Sequence, residues 1–144
     1  MFLNPEKQVF CRNEVYFYRK REGSLMNTKG ESRCQRHMKS MIAAIDLWSE
    51  FLEMHKGFLT EEKKDNIRKR QYQLSAAACL DALRSTQTNA YEVRDILRSK
   101  GVYPYPYMQE FLSPPRNIAN FLKFFLRNSF VYTFFAKTDL IAGK

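Results

Sequence analysis

The chain has 144 residues, of which 44% are apolar and 27% charged, and a net charge of +9. These values fit one globular domain. Twelve Phe and eight Tyr argue against disorder, and only five Gly and five Pro argue against an all-β protein with many turns. The positive charge favours phosphates, nucleic acid or acidic lipid as partners without choosing among them.

The three cysteines, Cys11, Cys34 and Cys79, are widely spaced and form no CxxC pair or Cys/His cluster. Zinc and a disulfide framework are therefore not expected, and buried thiols in a reducing compartment are. The N-terminus has no long apolar run of the signal-peptide type, and no stretch of about 18 apolar residues predicts a spanning helix. We therefore expect a cytoplasmic protein.

The first predicted element is a β strand or short hairpin at residues 9–19, which are rich in β-branched and aromatic side chains. A loop follows at 22–30, and a long helix is predicted at 31–56. Apolar and aromatic side chains recur along that helix at three- and four-residue steps: Cys34, Met38, Met41, Ile42, Ile45, Trp48, Leu52 and His55.

A second helix is predicted at 61–85, with Thr60 as its N-cap. Its middle, 63–71, is strongly basic, and the small residues 76–78 would let a neighbouring helix approach closely. Glu61 and the adjoining Glu62 suit the positive helix start, so we interpret them as dipole partners and not as an acid/base pair.

A third helix is predicted at about 89–99, capped by Thr88 and ended by Gly101. The next segment, 102–107, is expected to be extended because its two prolines restrict the residues before them. The last predicted helix spans about 115–136. A helical wheel places Arg116, Lys123 and Arg127 on one stripe, which we interpret as a membrane or anion surface.

On the same wheel, Ile118, Phe121, Leu122, Phe125 and Tyr132 lie on the opposite, apolar side. The predicted fold class is therefore mainly α: a four-helix orthogonal or bundle-like array preceded by a short N-terminal β strand or hairpin. Residues 1–30 form the terminal segment and 31–144 the helical domain. An unpaired strand at 1–28 would favour a homodimer through its edge.

The sequence contains no complete catalytic site. It has no GxxxxGK[ST] phosphate loop, no GxGxxG, no HExxH and no Asp-x-Asp pair for a metal–nucleotide complex. We therefore expect no cofactor in this chain. The densest chemical cluster is at 16–24 (YFYRKREGS), where three cations follow three aromatic residues and a Gly-Ser turn ends the run. An arginine at a strand end can bind phosphate through two hydrogen bonds.

Residues 15–27 (VYFYRKREGSLMN) resemble the closing segment of the nucleotide-sugar-binding domain in bacterial family-2 glycosyltransferases. In that family a final strand of the type YYYR runs into R-x-G-S-I-M and then into a long helix. The residues that match are Tyr16, Tyr18, Arg19, Arg21, Gly23, Ser24, Leu25 and Met26. The match covers about 30 residues, and the later helices agree with the family only in kind.

The resemblance implies transfer of a sugar from a nucleotide sugar to a saccharide or lipid-linked acceptor, as in polysaccharide biosynthesis. It assigns substrate binding to Tyr18, Arg19, Arg21 and Ser24. The family's metal-binding Asp motif and catalytic base lie upstream of such a segment and are missing from this sequence. We therefore expect this chain not to be active alone, to partner the remainder of a catalytic domain that holds the divalent metal, and to contact an anionic membrane peripherally.

A basic helical binding module for nucleic acid or a protein partner is the alternative. The basic run at 63–71 and the charge of +9 favour it. No helix-turn-helix spacing is evident, and acids interrupt the basic run, so nucleic acid is the less expected partner.

Overall fold

The computed structural model describes residues 31–112 and 117–138. In these ranges the chain forms five α-helices and a single 3₁₀ turn, and no strand. The helices are α1 (Glu31–His55), α2 (Glu61–Arg84), α3 (Ala90–Ser99), α4 (Ile118–Leu126) and α5 (Ser129–Thr138), with the 3₁₀ turn at Gln109–Phe111. The prediction of a mainly α protein is confirmed. The predicted N-terminal strand lies outside the described residues, so the strand and the homodimer through its edge stay predictions.

Helices α1 and α2 form the most extensive helix pair in the described part of the chain. Met38, Met41 and Ile45 of α1 are buried against the small side chains of α2, among them Ala76 and Ala78. Small side chains let the two backbones approach closely, as the alanine run predicted. The burial of apolar side chains at this interface is the main stabilising contribution to the pair.

A buried glutamine fixes how the two helices align. The Nε2 group of Gln71 donates to the backbone oxygen of Ile45 at 3.2 Å and to the hydroxyl of Ser49 at 2.8 Å. Because a buried amide without partners would destabilise the fold by about 1–3 kcal/mol, the helix pair is held in the register that satisfies this side chain.

Ser75 of α2 is fully buried, and its hydroxyl has no hydrogen-bond partner among the described residues. Replacing it with alanine removes a desolvated polar group and adds the strongest helix former. We expect Ser75→Ala to raise the free energy of unfolding by about 1 kcal/mol. Urea denaturation followed by circular dichroism measures it, and a destabilised variant would contradict the burial of an unpaired hydroxyl.

The caps of α2 and α3 follow from local chemistry. Thr60 caps α2 as predicted, because its side chain accepts from the Lys63 amide at 3.4 Å. The cap of α3 is Asn89, whose side chain accepts from two amides of the first turn, and not the predicted Thr88. Gly101 follows α3 at φ +70°, which favours glycine, and ends the helix as predicted.

Residues 102–108, the connector, run without helix from α3 to the 3₁₀ turn. Its aromatic and proline residues differ in burial: Val102, Tyr103 and Tyr105 are buried, whereas Pro104 and Pro106 are exposed. The segment is non-helical, as the two prolines predicted, and its backbone bends at Tyr103 and Pro104. The rings of Tyr103 and Tyr105 lie in the hydrophobic core, next to the C-terminal helices.

The prediction of one continuous helix over 115–136 is wrong. Helix α4 ends at Leu126, and Asn128 begins α5 by accepting from the Phe130 amide at 2.9 Å. The hydroxyls of Tyr103 and Tyr105 donate to the backbone oxygens of Leu126 and Lys123, at 3.1 and 2.6 Å. These carbonyls lie in the last turn, where no helical amide serves them, so side chains from the connector stabilise the break.

Candidate functional site

A concave surface lined by α2, the connector and the ends of α1 and α3 lies along the basic half of α2, and we call it the α2 groove. Its first cavity, of about 430 Å³, is lined by Asp65, Arg68, Lys69, Tyr72, Pro106, Tyr107, Met108, Gln109 and Glu110. A second cavity, of about 420 Å³, is lined by Ser49, Leu52, Glu53, Lys56, Lys64, Arg68, Gln71, Tyr72, Lys100, Gly101 and Val102. Arg68 and Tyr72 line both cavities, so the groove is continuous around these two side chains.

Helix α2 forms the groove because its two halves differ in sequence. The buried side chains all lie between Gln71 and Leu83, and those of the first ten residues, 61–70, are exposed or half-buried. Arg68 and Tyr72, four residues apart, share a face. The basic run at 63–71 carries few apolar side chains, which leaves this half of α2 available to a ligand.

The first cavity is electrically balanced. Arg68 donates to Asp65 at 3.1 Å, and Lys69 of α2 forms an ion pair with Glu110 of the 3₁₀ turn. The hydrogen bond from Lys69 lowers the pKa of Glu110 below its usual value. Both pairs are largely exposed, and exposed pairs stabilise a fold by only about 0–1 kcal/mol. The four charged groups can therefore exchange these partners for a ligand's polar groups.

Tyr107 forms the aromatic wall of the first cavity, and its side chain is 51% exposed. The Arg127 guanidinium lies 5.8 Å from its ring centroid, and the Phe124 ring packs edge-on at 6.0 Å. These two neighbours restrict the ring while leaving half of its surface open to solvent. A restrained aromatic ring can stack on a ligand with little loss of conformational entropy.

The second cavity is electropositive. Lys56, Lys64, Lys100 and Arg68 line it, with Glu53 as the acid in the lining, and each of the four cations forms an ion pair with an acid. Lys100 forms an ion pair with Asp46 of α1, which ties the end of α3 to α1. An anionic group such as a phosphate would meet an excess of donors here.

The arrangement suits binding better than catalysis. The first cavity combines donors, acceptors and an aromatic wall, which fits a neutral hydroxylated ligand, and the second suits an attached anionic group. In the described ranges no group of three or more His, Cys, Asp and Glu side chains could hold a metal ion. None of the helices in those ranges is long and apolar enough to cross a bilayer.

The predicted site residues fall into two sets. Tyr18, Arg19, Arg21 and Ser24, together with Arg116, lie outside the described residues, so those predictions stay predictions. Lys123 and Arg127 are described, and they meet different neighbours.

Lys123 is half-buried in a third cavity of about 310 Å³ between α2 and α4, where burial lowers its pKa. His37 of α1 and Asp81 of α2 form a hydrogen bond of 2.6 Å. Both residues lie near Lys123, because His37 lines this cavity and Asp81 interacts electrostatically with Lys123. Arg127 instead lies over the Tyr107 and Phe124 rings. The structure therefore does not bring Lys123 and Arg127 together on one exposed stripe.

The groove residues Tyr72, Tyr107, Gln109 and Glu110 were missed as site residues by sequence reasoning. The aromatic–proline alternation at 102–107 was the available signal, since it places side chains on opposite sides of an extended chain. Nothing local indicates that Glu110 meets Lys69, because the two residues are 41 positions apart in the sequence.

Comparison of the chain with protein-family models, with curated proteins and with solved structures finds no match.

Proposed function

We propose that this chain is the C-terminal helical part of a glycosyltransferase that transfers sugar from a nucleotide sugar to a saccharide or lipid-linked acceptor. The α2 groove is its acceptor side. The observation that carries this assignment is the pairing of a charge-balanced, tyrosine-walled cavity with an electropositive one around Arg68 and Tyr72. An acceptor that carries a phosphate next to its sugar would match both halves.

The chemistry of a sugar supports this assignment. Its hydroxyls both donate and accept, so it can engage the Arg68–Asp65 and Lys69–Glu110 pairs, and its C–H face can pack on Tyr107. The resemblance at 15–27 supports the same assignment, because it precedes α1 in the order expected for such an enzyme.

Exposed apolar side chains on α1 support a partner domain. Leu47 and Met54 are seven residues apart and share an outward face, and Phe58 follows in the next loop. All three are well exposed. A neighbouring catalytic domain that holds the metal and nucleotide would cover them, as domain interfaces bury such side chains.

Saturation-transfer NMR on the full chain tests the acceptor side. The probes are neutral disaccharides of hexoses and N-acetylhexosamines and the corresponding sugar 1-phosphates. We expect binding in the range of about 1 mM, with sugar phosphates binding several-fold more tightly than the neutral sugars. Tyr107→Ala should weaken binding about tenfold, because the ring loses its stacking contact.

Phe58→Ala is the matched control, since it removes an exposed aromatic ring that lines neither cavity of the α2 groove. It should leave saccharide binding unchanged. If no probe binds, or if Tyr107→Ala and Phe58→Ala bind equally, the α2 groove is not an acceptor site.

A binding module for nucleic acid is the second candidate, favoured by the exposed cations Lys63, Arg68, Lys69 and Arg70. The acids in the groove weaken it, since Asp65 and Glu110 would repel phosphates. Fluorescence titration with duplex DNA at several salt concentrations separates the two functions. Tight binding that falls steeply with salt would favour nucleic acid, and weak binding with a shallow salt slope would favour the transferase.

A further inference from the structure

Helix α4 turns an apolar face to solvent. Ile118, Phe121 and Phe125 lie within one third of the helix circumference and have exposed fractions of 79%, 54% and 40%. The buried side of α4 is formed instead by Leu126, with Ala119, Leu122 and Phe124 packed partly against the core. Most of α4 is apolar, and the side that meets the core is not the one formed by Ile118, Phe121 and Phe125.

Helix α5 has the same arrangement. Phe130 and Phe134 are four residues apart and are exposed at 80% and 52%. Lys137 lies next to them on the helix surface and is exposed as well. Tyr132, on the opposite side, is fully buried. Two consecutive short helices thus present phenylalanine side chains away from the core.

The charged residues of α4, α5 and the turn between them are all cations. They are Lys123, Arg127 and Lys137, of which Lys137 is exposed and Lys123 is half-buried towards α2. A second copy seated on this surface would bring Lys137 and Arg127 towards like charges, which is unfavourable. An anionic bilayer surface instead supplies both an apolar phase for the rings and negative charge for the cations.

We propose that the phenylalanine faces of α4 and α5 bind the surface of an anionic lipid bilayer. The two helices have 9 and 10 residues, and at about 1.5 Å per residue neither approaches the roughly 30 Å of the hydrocarbon core. They therefore lie in the interface, with the rings at the level of the acyl boundary and Lys137 among the headgroups. This inference goes beyond the proposed function and does not depend on it.

Vesicle flotation of the full chain tests the proposal. One set of vesicles is phosphatidylcholine alone, and the other contains about one third phosphatidylglycerol. We expect the protein to float with the anionic vesicles and to remain largely unbound with the neutral ones. Exchange of two exposed phenylalanines in F130S/F134S should lower the bound fraction at least about tenfold, because each exposed ring contributes apolar area to insertion.

F58S is the matched control, since Phe58 is 90% exposed outside α4 and α5. It should float like the unchanged chain, and circular dichroism verifies that both variants remain helical. Equal flotation of F130S/F134S and the unchanged chain would overturn the proposal, as would absence of flotation with anionic vesicles. Sedimentation without lipid completes the test: a dimer that F130S/F134S abolishes would assign these faces to a second copy and overturn the lipid assignment.

Discussion

Raising the pH from about 9 to about 11 is expected to destabilise the helical domain strongly. Tyr103, Tyr105 and Tyr132 are buried, and burial raises the pKa of all three hydroxyls, that of Tyr103 to about 12. In the unfolded chain a tyrosine ionises near pH 10. The unfolded state therefore releases these protons first, so the free energy of unfolding falls as the pH rises above about 10.

The size of this effect is comparable with the stability of a small domain. Each buried tyrosine lowers the free energy of unfolding by about 1.4 kcal/mol per pH unit above its unfolded pKa, so three together lower it by about 4 kcal/mol at pH 11. Burial also raises the pKa of the Cys79 thiol, so this group lowers the free energy of unfolding further as the pH rises above about 9. The free energy of unfolding of a typical domain is about 5–15 kcal/mol.

Lys123 acts in the opposite direction. Burial lowers its pKa, so the unfolded state binds the extra proton and stability rises with pH until the free lysine value of 10.5 is reached. One lysine offsets at most one of the four acidic groups, and its contribution stops growing above that pH. The net expectation is a loss of stability above about pH 10.

Urea denaturation followed by circular dichroism at several pH values between about 8 and 11 measures the slope. Tyr103→Phe is the informative variant, because it removes one of the three titrating hydroxyls and should flatten the slope by about 1.4 kcal/mol per pH unit. A free energy of unfolding that stays constant from about pH 9 to 11 would mean that these tyrosines are not buried together.

Truncation of Tyr132 is expected to have the largest effect of any single substitution in the C-terminal helices. Its side chain is fully buried, its ring centroid lies 5.8 Å from that of Tyr103, and its hydroxyl donates to the Ala90 oxygen at 2.7 Å. Tyr132→Ala leaves a cavity and removes the anchor of α5 on α3. We expect a loss of about 3–5 kcal/mol in the free energy of unfolding.

Two further substitutions separate packing from hydrogen bonding. Tyr132→Phe keeps the ring and removes only the hydroxyl, so it should destabilise by about 1–2 kcal/mol. Tyr107→Ala removes a half-exposed tyrosine and should cost less than about 1 kcal/mol. Chemical denaturation of the three variants gives the free energy of unfolding of each and so ranks their losses of stability. If Tyr132→Ala and Tyr107→Ala were equally mild, α5 would not be held by its tyrosine.

The first three helices were predictable because their signals are local. Apolar periodicity set α1, Thr60 and the neighbouring acids set the start of α2, and Gly101 set the end of α3. Thr88 was chosen over Asn89 as a cap because both residue types suit that position and they are adjacent. Boundaries of this kind depend on one or two residues that the sequence displays.

The end of α4 was not predictable in the same way. Leu126 ends the helix where tyrosine hydroxyls from 103 and 105 reach its last turn, and that contact joins parts of the chain about 20 positions apart. Asn128 is compatible with a helix interior as well as with a cap, so its own side chain does not decide the outcome.

The candidate site could be predicted only in part from the sequence, for a related reason. The wheel correctly grouped Ile118, Phe121 and Phe125 on one side of α4, but with apolar residues nearly all round the helix it could not tell which side meets the core. The α2 groove forms because Tyr107 of the connector and Glu110 of the 3₁₀ turn lie next to α2 in the fold. The periodicity of a local segment of sequence does not predict that arrangement.

The hydroxyl contacts from Tyr103 and Tyr105 to the last turn of α4 have a consequence for how the domain opens. If the connector detaches, two carbonyls of α4 lose their donors, and if α4 detaches, two buried phenols lose their acceptors. Neither piece can leave alone without stranding polar groups of the other. Amide hydrogens of α4 and those of the connector should therefore exchange with solvent in a single cooperative event, as one unit of local unfolding.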